Sequence, residues 1–240
     1  VEGSFNTWKE AVDTIQARTY SAVQDIIQHG RIPEVILLGN EINSSGPITN
    51  FNTWDQPAGY IERHAELLAA GARAMRSAGY TGKIGVHIDR SWSGFFKDLR
   101  RFNYRDFQVA AVSSYPKWGD EKNTLTEKIQ ALHTLATDDN LEILIIETAA
   151  PYVNKPDGWA TQDFDRDQVV EVSPLGQKMH MQRLLELVLA IPGGKGLGVI
   201  SWGTDLAVGV HEWDHVTWNR AQIDTNFCAL PALYAYQEYR

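Results

Sequence analysis

Val35-Ile36-Leu37-Leu38-Gly39-Asn40-Glu41-Ile42-Asn43 is the stretch on which the fold of this chain turns. Its first four residues are an unbroken apolar run soon after Pro33. A short continuous run rich in branched aliphatics predicts a strand buried on both faces, as in a parallel sheet. Gly39, Asn40 and Glu41 then stand at the C-terminal end of that strand, the end at which parallel α/β proteins carry their chemistry. Leu144-Ile145-Ile146-Glu147 repeats the pattern and runs into Thr148-Ala149-Ala150-Pro151. Two strands that each end in glutamate suggest two carboxylates facing one cleft, the pair on which glycoside hydrolysis rests. Either glutamate alone also fits a helix cap or a solvated position; the matched contexts weigh against that for the pair.

Outward from these strands, helical and extended patterns alternate. Trp8, Ala11, Val12, Ile15, Val23, Ile26 and Ile27 keep helical spacing up to a stop at Gly30. Ile61, Ala65, Leu68, Ala72 and Met75 form the apolar face of a helix over 60–78, ended by Gly79. Further strands are predicted over 84–88, ending His87-Ile88-Asp89, and over 109–113, leading into Ser114-Tyr115-Pro116-Lys117-Trp118. The last two lie over 143–146, ending at Glu147, and 197–201, ending at Trp202. Between them come a short helix around Phe95 to Phe102 and a helix opened by Thr124 and Glu127 at capping-box spacing. Another helix is capped by Ser173-Pro174, with Met181, Leu184, Leu185, Val188 and Leu189 as its buried stripe. Residues 230–238 read as a closing helix, and the loops at 43–58, 148–172 and 203–226 are long. This alternation predicts one α/β domain over 1–240 with a parallel sheet, doubly wound or closed as a barrel. Function-like residues at all five strand ends favour the barrel.

Composition narrows the partners. A net charge of -8 argues against nucleic acid and anionic membrane surfaces. No apolar run reaches the roughly 18 residues that span a bilayer, and no leader peptide is read at the start. The single cysteine, Cys228, excludes an intrachain disulfide and a cysteine-based metal site. Eight Trp and nine Tyr suit stacking on sugar faces, with core packing as the ordinary alternative. Asp163, Asp165 and Asp167 alternate as in a structural calcium loop, against the simpler reading of a solvated acidic loop.

On these motifs the chain resembles the arabinogalactan endo-β-1,4-galactanases, glycoside hydrolase family 53. Gly39-Asn40-Glu41-Ile42-Asn43 is similar to the family's acid/base motif at the end of barrel strand 4. Ile146-Glu147-Thr148-Ala149 with Pro151-Tyr152 is similar to its nucleophile motif at strand 7. The helix 67–76, His87-Ile88-Asp89, Ser113 through Trp118, Ser173-Pro174 with Gly176-Gln177, 196–199 and 229–233 follow in the family's order. Ser114 stands where the family has the first of two tyrosines, and Gly203-Thr204-Asp205 replaces its usual continuation after Trp202. The resemblance implies a (β/α)8 TIM-barrel fold, of which this chain covers about strands 4 to 8. An incomplete barrel is therefore expected, inactive by itself, with open edges at 35–38 and 197–201 and with Ile36, Leu38 and Val199 pointing inward.

The resemblance also implies a retaining, endo-acting hydrolase of galactan, with Glu41 as acid/base and Glu147 as nucleophile. Asn40, His87, Asp89, Tyr115, Trp118 and Trp202 become substrate-binding candidates. Asn40 would donate to the sugar 2-hydroxyl, Tyr115 would hydrogen-bond Glu147, and Trp118 and Trp202 would serve as sugar platforms. No cofactor is required, the complete protein is expected to be a monomer, and secretion follows from the family alone. Two other uses of the scaffold stay open. One is a degenerate carbohydrate-binding barrel, or a relative acting on another β-1,4-linked polymer. The other is a metal-dependent hydrolase built on His87, Asp89, His211, Asp214 and His215, which the loop-like setting of those last residues disfavours.

Overall fold

The computed structural model describes residues 5, 7–43, 60–89, 92–115, 125–153, 171–205, 219–224 and 226–239. The chain divides into two units, Val1–Val112 with Thr137–Glu142, and Ser113–Ala136 with Ile143–Arg240. Phe51, Trp54, Trp118, Thr124, the aspartates at 163, 165 and 167, and His211 to His215 lie outside the described residues.

The first unit opens with α1 (Trp8–Gln28), whose first turn is capped by Thr7; the Thr7 hydroxyl accepts from the Glu10 N–H at 3.1 Å. Such a cap is worth about 1 kcal/mol. Ala11 is buried against Leu67 with Phe5, Trp8, Val12 and Ile15 around them. The Trp8 indole N–H also donates to Glu66 at 2.6 Å, and Arg63 lies over the ring. Strand β1 (Val35–Leu38) follows, then α2 (Tyr60–Ser77), which packs on α1, and β2 (Lys83–Ile88). Arg76 closes the α2–β2 corner: it donates to the Tyr80 and Gly82 carbonyls and grips Asp106 through two nitrogens at 3.0 and 2.9 Å. That fork holds the Asp106 carboxyl below its ordinary range. Helix α3 (Trp92–Arg101) leads into β3 (Val109–Ser113). Phe95, Phe96, Tyr104 and Phe107 form a chain of ring contacts around this turn, with centroids 5.1 to 6.0 Å apart.

Strands β1, β2 and β3 pair in parallel, with Leu38 opposite Val86 and His87 opposite Ala111. The two faces of β1 have different neighbours. A Cβ at Gly71 of α2 would come within 3.0 Å of Leu38, so Leu38 packs on the helix side. A Cβ at Gly85 would meet Leu37 at 2.4 Å and Val109 at 3.2 Å, so Leu37 lies on the opposite face. This corrects the expectation that Leu38, and Ile36 two residues before it, point away from the helices. Burial is also lighter than the apolar run implies: Val35, Ile36 and Leu37 are only half-buried, whereas β2 and β3 are almost wholly buried. Position explains it, because among the described residues β1 pairs on one side alone, with β2, whereas β2 pairs with β1 and β3.

The second unit contains most of α4 (Leu125–Thr137) and most of β4 (Glu142–Glu147), then α5 (Pro174–Leu189) and β5 (Gly196–Val199). Ser114 N–H donates to the Glu147 carbonyl at 2.8 Å, which ties residue 114 to the last residue of β4 within this unit. β4 pairs with β5 in parallel, with a register shift between Ile143 and Leu144. Helix α5 starts as predicted: Ser173 Oγ accepts from the Gly176 N–H at 3.0 Å and Pro174 occupies the first turn. Met181, Leu184, Leu185 and Val188 are buried, but Leu189 is exposed, because the last turn ends at Ala190 before the chain reverses toward Pro192. The predicted closing helix is a 3-10 helix, Pro231–Tyr239, packed on α5.

Candidate functional site

Each unit places one glutamate at the C-terminal end of a strand. In the first unit the chain leaves β1 through a turn with left-handed backbone at Gly39 (φ 81°) and again at Glu41 (φ 45°). Gly39 has no alternative, since a Cβ there would sit 2.2 Å from Ile42 Cγ2. Glu41 has a Cβ and carries the conformation at a cost of about 1 kcal/mol, so the surroundings must enforce it. Ile42 is buried; its N–H donates to the His87 carbonyl at 3.2 Å and its carbonyl accepts from the Tyr60 hydroxyl at 3.0 Å. The Asn43 side chain then imitates a peptide group: its Nδ2 donates to the Asp89 carbonyl at 2.5 Å and its Oδ1 accepts from the Asp89 N–H at 2.6 Å. The β1–β2 pairing is thereby extended beyond both strands, with Glu41 fixed in between.

Asn40 Oδ1 lies 3.1 Å from His87 Nδ1. With the amide oxygen as acceptor the imidazole proton sits on Nδ1. Burial holds the His87 imidazole down to about 4, with Asp89 opposing. His87 is therefore neutral at pH 7. Its folded pKa lies below the ordinary 6.5, so the stability it confers is complete above about 6.5 and is lost as pH falls toward 4. The difference corresponds to ~3 kcal/mol. Urea unfolding at pH 7 and pH 4 should show wild type losing that much more stability than His87→Gln; equal losses in the two proteins contradict the assignment.

In the second unit Glu147 ends β4, and the Tyr115 hydroxyl donates to its Oε2 at 3.0 Å. Tyr115 is buried against Ala149 and Ala221, with Ile223 beside them. Trp202 is exposed, and its main-chain N–H donates to the Thr148 carbonyl at 2.8 Å, which pairs the backbone of residue 202 with the residue after Glu147. Thr148 is fully buried with its hydroxyl 3.5 Å from His180 Nε2. The structure thus brings together Asn40, Glu41, His87 and Asp89 in one unit, and Tyr115, Glu147 and Trp202 in the other. Trp118 lies outside the described residues. Asn43 has no assigned role in the sequence although it belongs to the deciding motif. Its pairing with Asp89 leaves no local signature, because the two are 46 residues apart.

The family model for glycosyl hydrolase family 53 matches residues 4–236. An arabinogalactan endo-beta-1,4-galactanase from Cellvibrio japonicus is 25% identical over 218 residues, covering 81% of this chain and 52% of that protein. A probable arabinogalactan endo-beta-1,4-galactanase A from Neosartorya fischeri is 26% identical, covering 92% of this chain and 61% of that protein. An uncharacterized protein from Niallia circulans is 28% identical, covering 81% and 56%. The chain therefore spans a little over half the length of these three relatives. Among solved structures, the GH53 catalytic domain from Ignisphaera aggregans superposes with a TM-score of 0.79 at 24% identity, covering 97% of this chain and 66% of that one. A fungal β-1,4-galactanase structure gives 0.78 at 20% identity, covering 98% and 71%. These likenesses carry the fold, α/β of the TIM-barrel class. No helix among the described residues is long and apolar enough to cross a membrane. With a match running through both glutamate-ended strands and nearly the whole sequence, the chain belongs to glycosyl hydrolase family 53.

Proposed function

We propose that the protein is a retaining, endo-acting glycoside hydrolase that cleaves β-1,4-galactosidic bonds in galactan or arabinogalactan outside the cell, and that β1 to β5 correspond to strands 4 to 8 of its barrel. The observation that carries the proposal is the hydrogen bond from Tyr115 to Glu147 at the end of β4. A phenol donor favours the ionised carboxylate, which is what a nucleophile needs. Ionised Glu147 attacks the anomeric carbon as the bond to the leaving sugar oxygen breaks, and protonated Glu41 gives that oxygen its proton. The product is a glycosyl ester on Glu147. Glu41, now a carboxylate, takes a proton from water; the water oxygen attacks the anomeric carbon and Glu147 leaves. Two displacements return the original configuration, and the carboxyls of such a pair stand roughly 5–5.5 Å apart.

The rigid turn at Glu41 supports this assignment, because an acid that must later act as base has to keep one position through both steps. Asn40, whose amide oxygen is held by His87, is assigned to the sugar 2-hydroxyl, a bond that strengthens in the transition state. Asp89, anchored by Asn43, is assigned to sugar hydroxyls, and the exposed Trp202 indole and Trp118 to sugar faces. The test is incubation of the intact protein with β-1,4-galactan. Reducing ends should appear with oligomers as early products, and NMR should show the β-anomer first. A first-formed α-anomer would refute retention, and absence of cleavage would leave only a binding role.

A further inference from the structure

We infer that Gln177 is a positioning residue for the reaction, acting through the return segment 219–222 on Tyr115 and so on Glu147; the inference rests on the assignment of Glu147 as nucleophile. Gln177 sits in the first turn of α5 and is 1% exposed. Its Nε2 reaches three main-chain carbonyls: Ala150 at 2.8 Å, Ala221 at 2.9 Å and Arg220 at 3.1 Å. Only the NH2 end of the amide can face three carbonyl oxygens, so its orientation is fixed. Its Oε1 is buried with no hydrogen-bond partner among the described residues. A buried amide that leaves its acceptor unused is kept for what its donors hold.

What they hold is the floor under Tyr115. Ala150 lies three residues beyond Glu147 in the chain, and Ala221 is fully buried in one apolar cluster with Tyr115 and Ala149. The segment has other ties: Tyr152 N–H to the Asn219 carbonyl and Gln222 N–H to the Thr204 carbonyl, each at 2.9 Å. Those bonds fix its two ends, whereas Gln177 fixes the middle, at the residue that shares a buried cluster with the tyrosine. Without the amide, the Arg220 and Ala221 carbonyls lose their donor in a dry site, Ala221 withdraws, and the ring can tilt away from Glu147.

The test uses the intact enzyme with Gln177→Met, which keeps the length and removes both donors. Its kcat on galactan should fall about tenfold or more, since small misplacements of catalytic groups have effects of this order, with KM within about twofold. The acid limb of the kcat/KM profile should move up by roughly half a pH unit or more, toward its position in Tyr115→Phe, because the nucleophile has lost a donor to its ionised form. Combining Gln177→Met with Tyr115→Phe should add little to Tyr115→Phe alone. An unmoved acid limb with losses that multiply would overturn the inference and leave Gln177 a purely structural residue. Should Gln177→Met fail to fold, Ala221→Gly decides: it spares the three carbonyl bonds but removes the methyl group that the segment contributes to the Tyr115 cluster. A smaller shift of the same limb in the same direction supports the inference, and an unshifted limb refutes it. Glu147→Gln separates the two levels. If it is inactive while Gln177→Met leaves the limb in place, only the inference fails; if it is fully active, the nucleophile assignment falls and takes the inference with it.

Discussion

Glu147→Gln in the intact enzyme should reduce turnover by at least about 10⁴-fold, the equivalent of roughly 5.4 kcal/mol of transition-state stabilisation. The substitution is nearly isosteric and the amide oxygen can still accept from Tyr115, which donates to Oε2 at 3.0 Å in the wild type. Local packing around Tyr115, Ala149 and Ala221 is therefore preserved, and a loss of this size reports chemistry and not misfolding. A neutral amide cannot displace the leaving sugar. A cavity can admit a substitute: Glu147→Gly with azide or formate should recover cleavage of an activated aryl glycoside. The small anion then attacks once, so the azide product must carry the inverted configuration. Wild-type turnover in Glu147→Gln, or rescue with retained configuration, would end the assignment.

Glu41→Ala should separate substrates by leaving group. General acid catalysis contributes about 10²–10⁴-fold where the departing oxygen needs its proton. Cleavage of the polysaccharide should fall by that factor. Formation of the glycosyl-enzyme from a dinitrophenyl glycoside, whose leaving group departs as a stable anion, should hardly change. The backbone adds a control, because Glu41 has φ 45°. Alanine inherits that left-handed strain and glycine does not, so Glu41→Gly should be the more stable variant. Both variants should show the same leaving-group dependence if the lost carboxyl is the cause. Equal losses on both substrates would make Glu41 a structural residue of its turn.

The sequence by itself determined the alternation of helices and strands, because apolar periodicity and caps act within a few residues. Thr7 and Ser173 cap α1 and α5 as their local chemistry dictates, and Glu41 and Glu147 stand at strand ends because apolar runs stop there. The side-chain character of 230–238 signalled a helix but not its 3-10 geometry, which arises where that segment packs on α5. Which face of β1 meets a helix was likewise undetermined: four consecutive apolar residues have no alternation to read, and only the approach of Gly71 to Leu38 and of Gly85 to Leu37 settles it. The contacts that hold the candidate site belong wholly to the tertiary level. Asn43 finds Asp89 across 46 residues, and Gln177 finds Ala150, Arg220 and Ala221 across 27, 43 and 44. A lone amide side chain carries no local signal of such a partner, since its hydrogen bonds exist only once folding has brought distant backbone groups into reach and removed the water that would otherwise satisfy them.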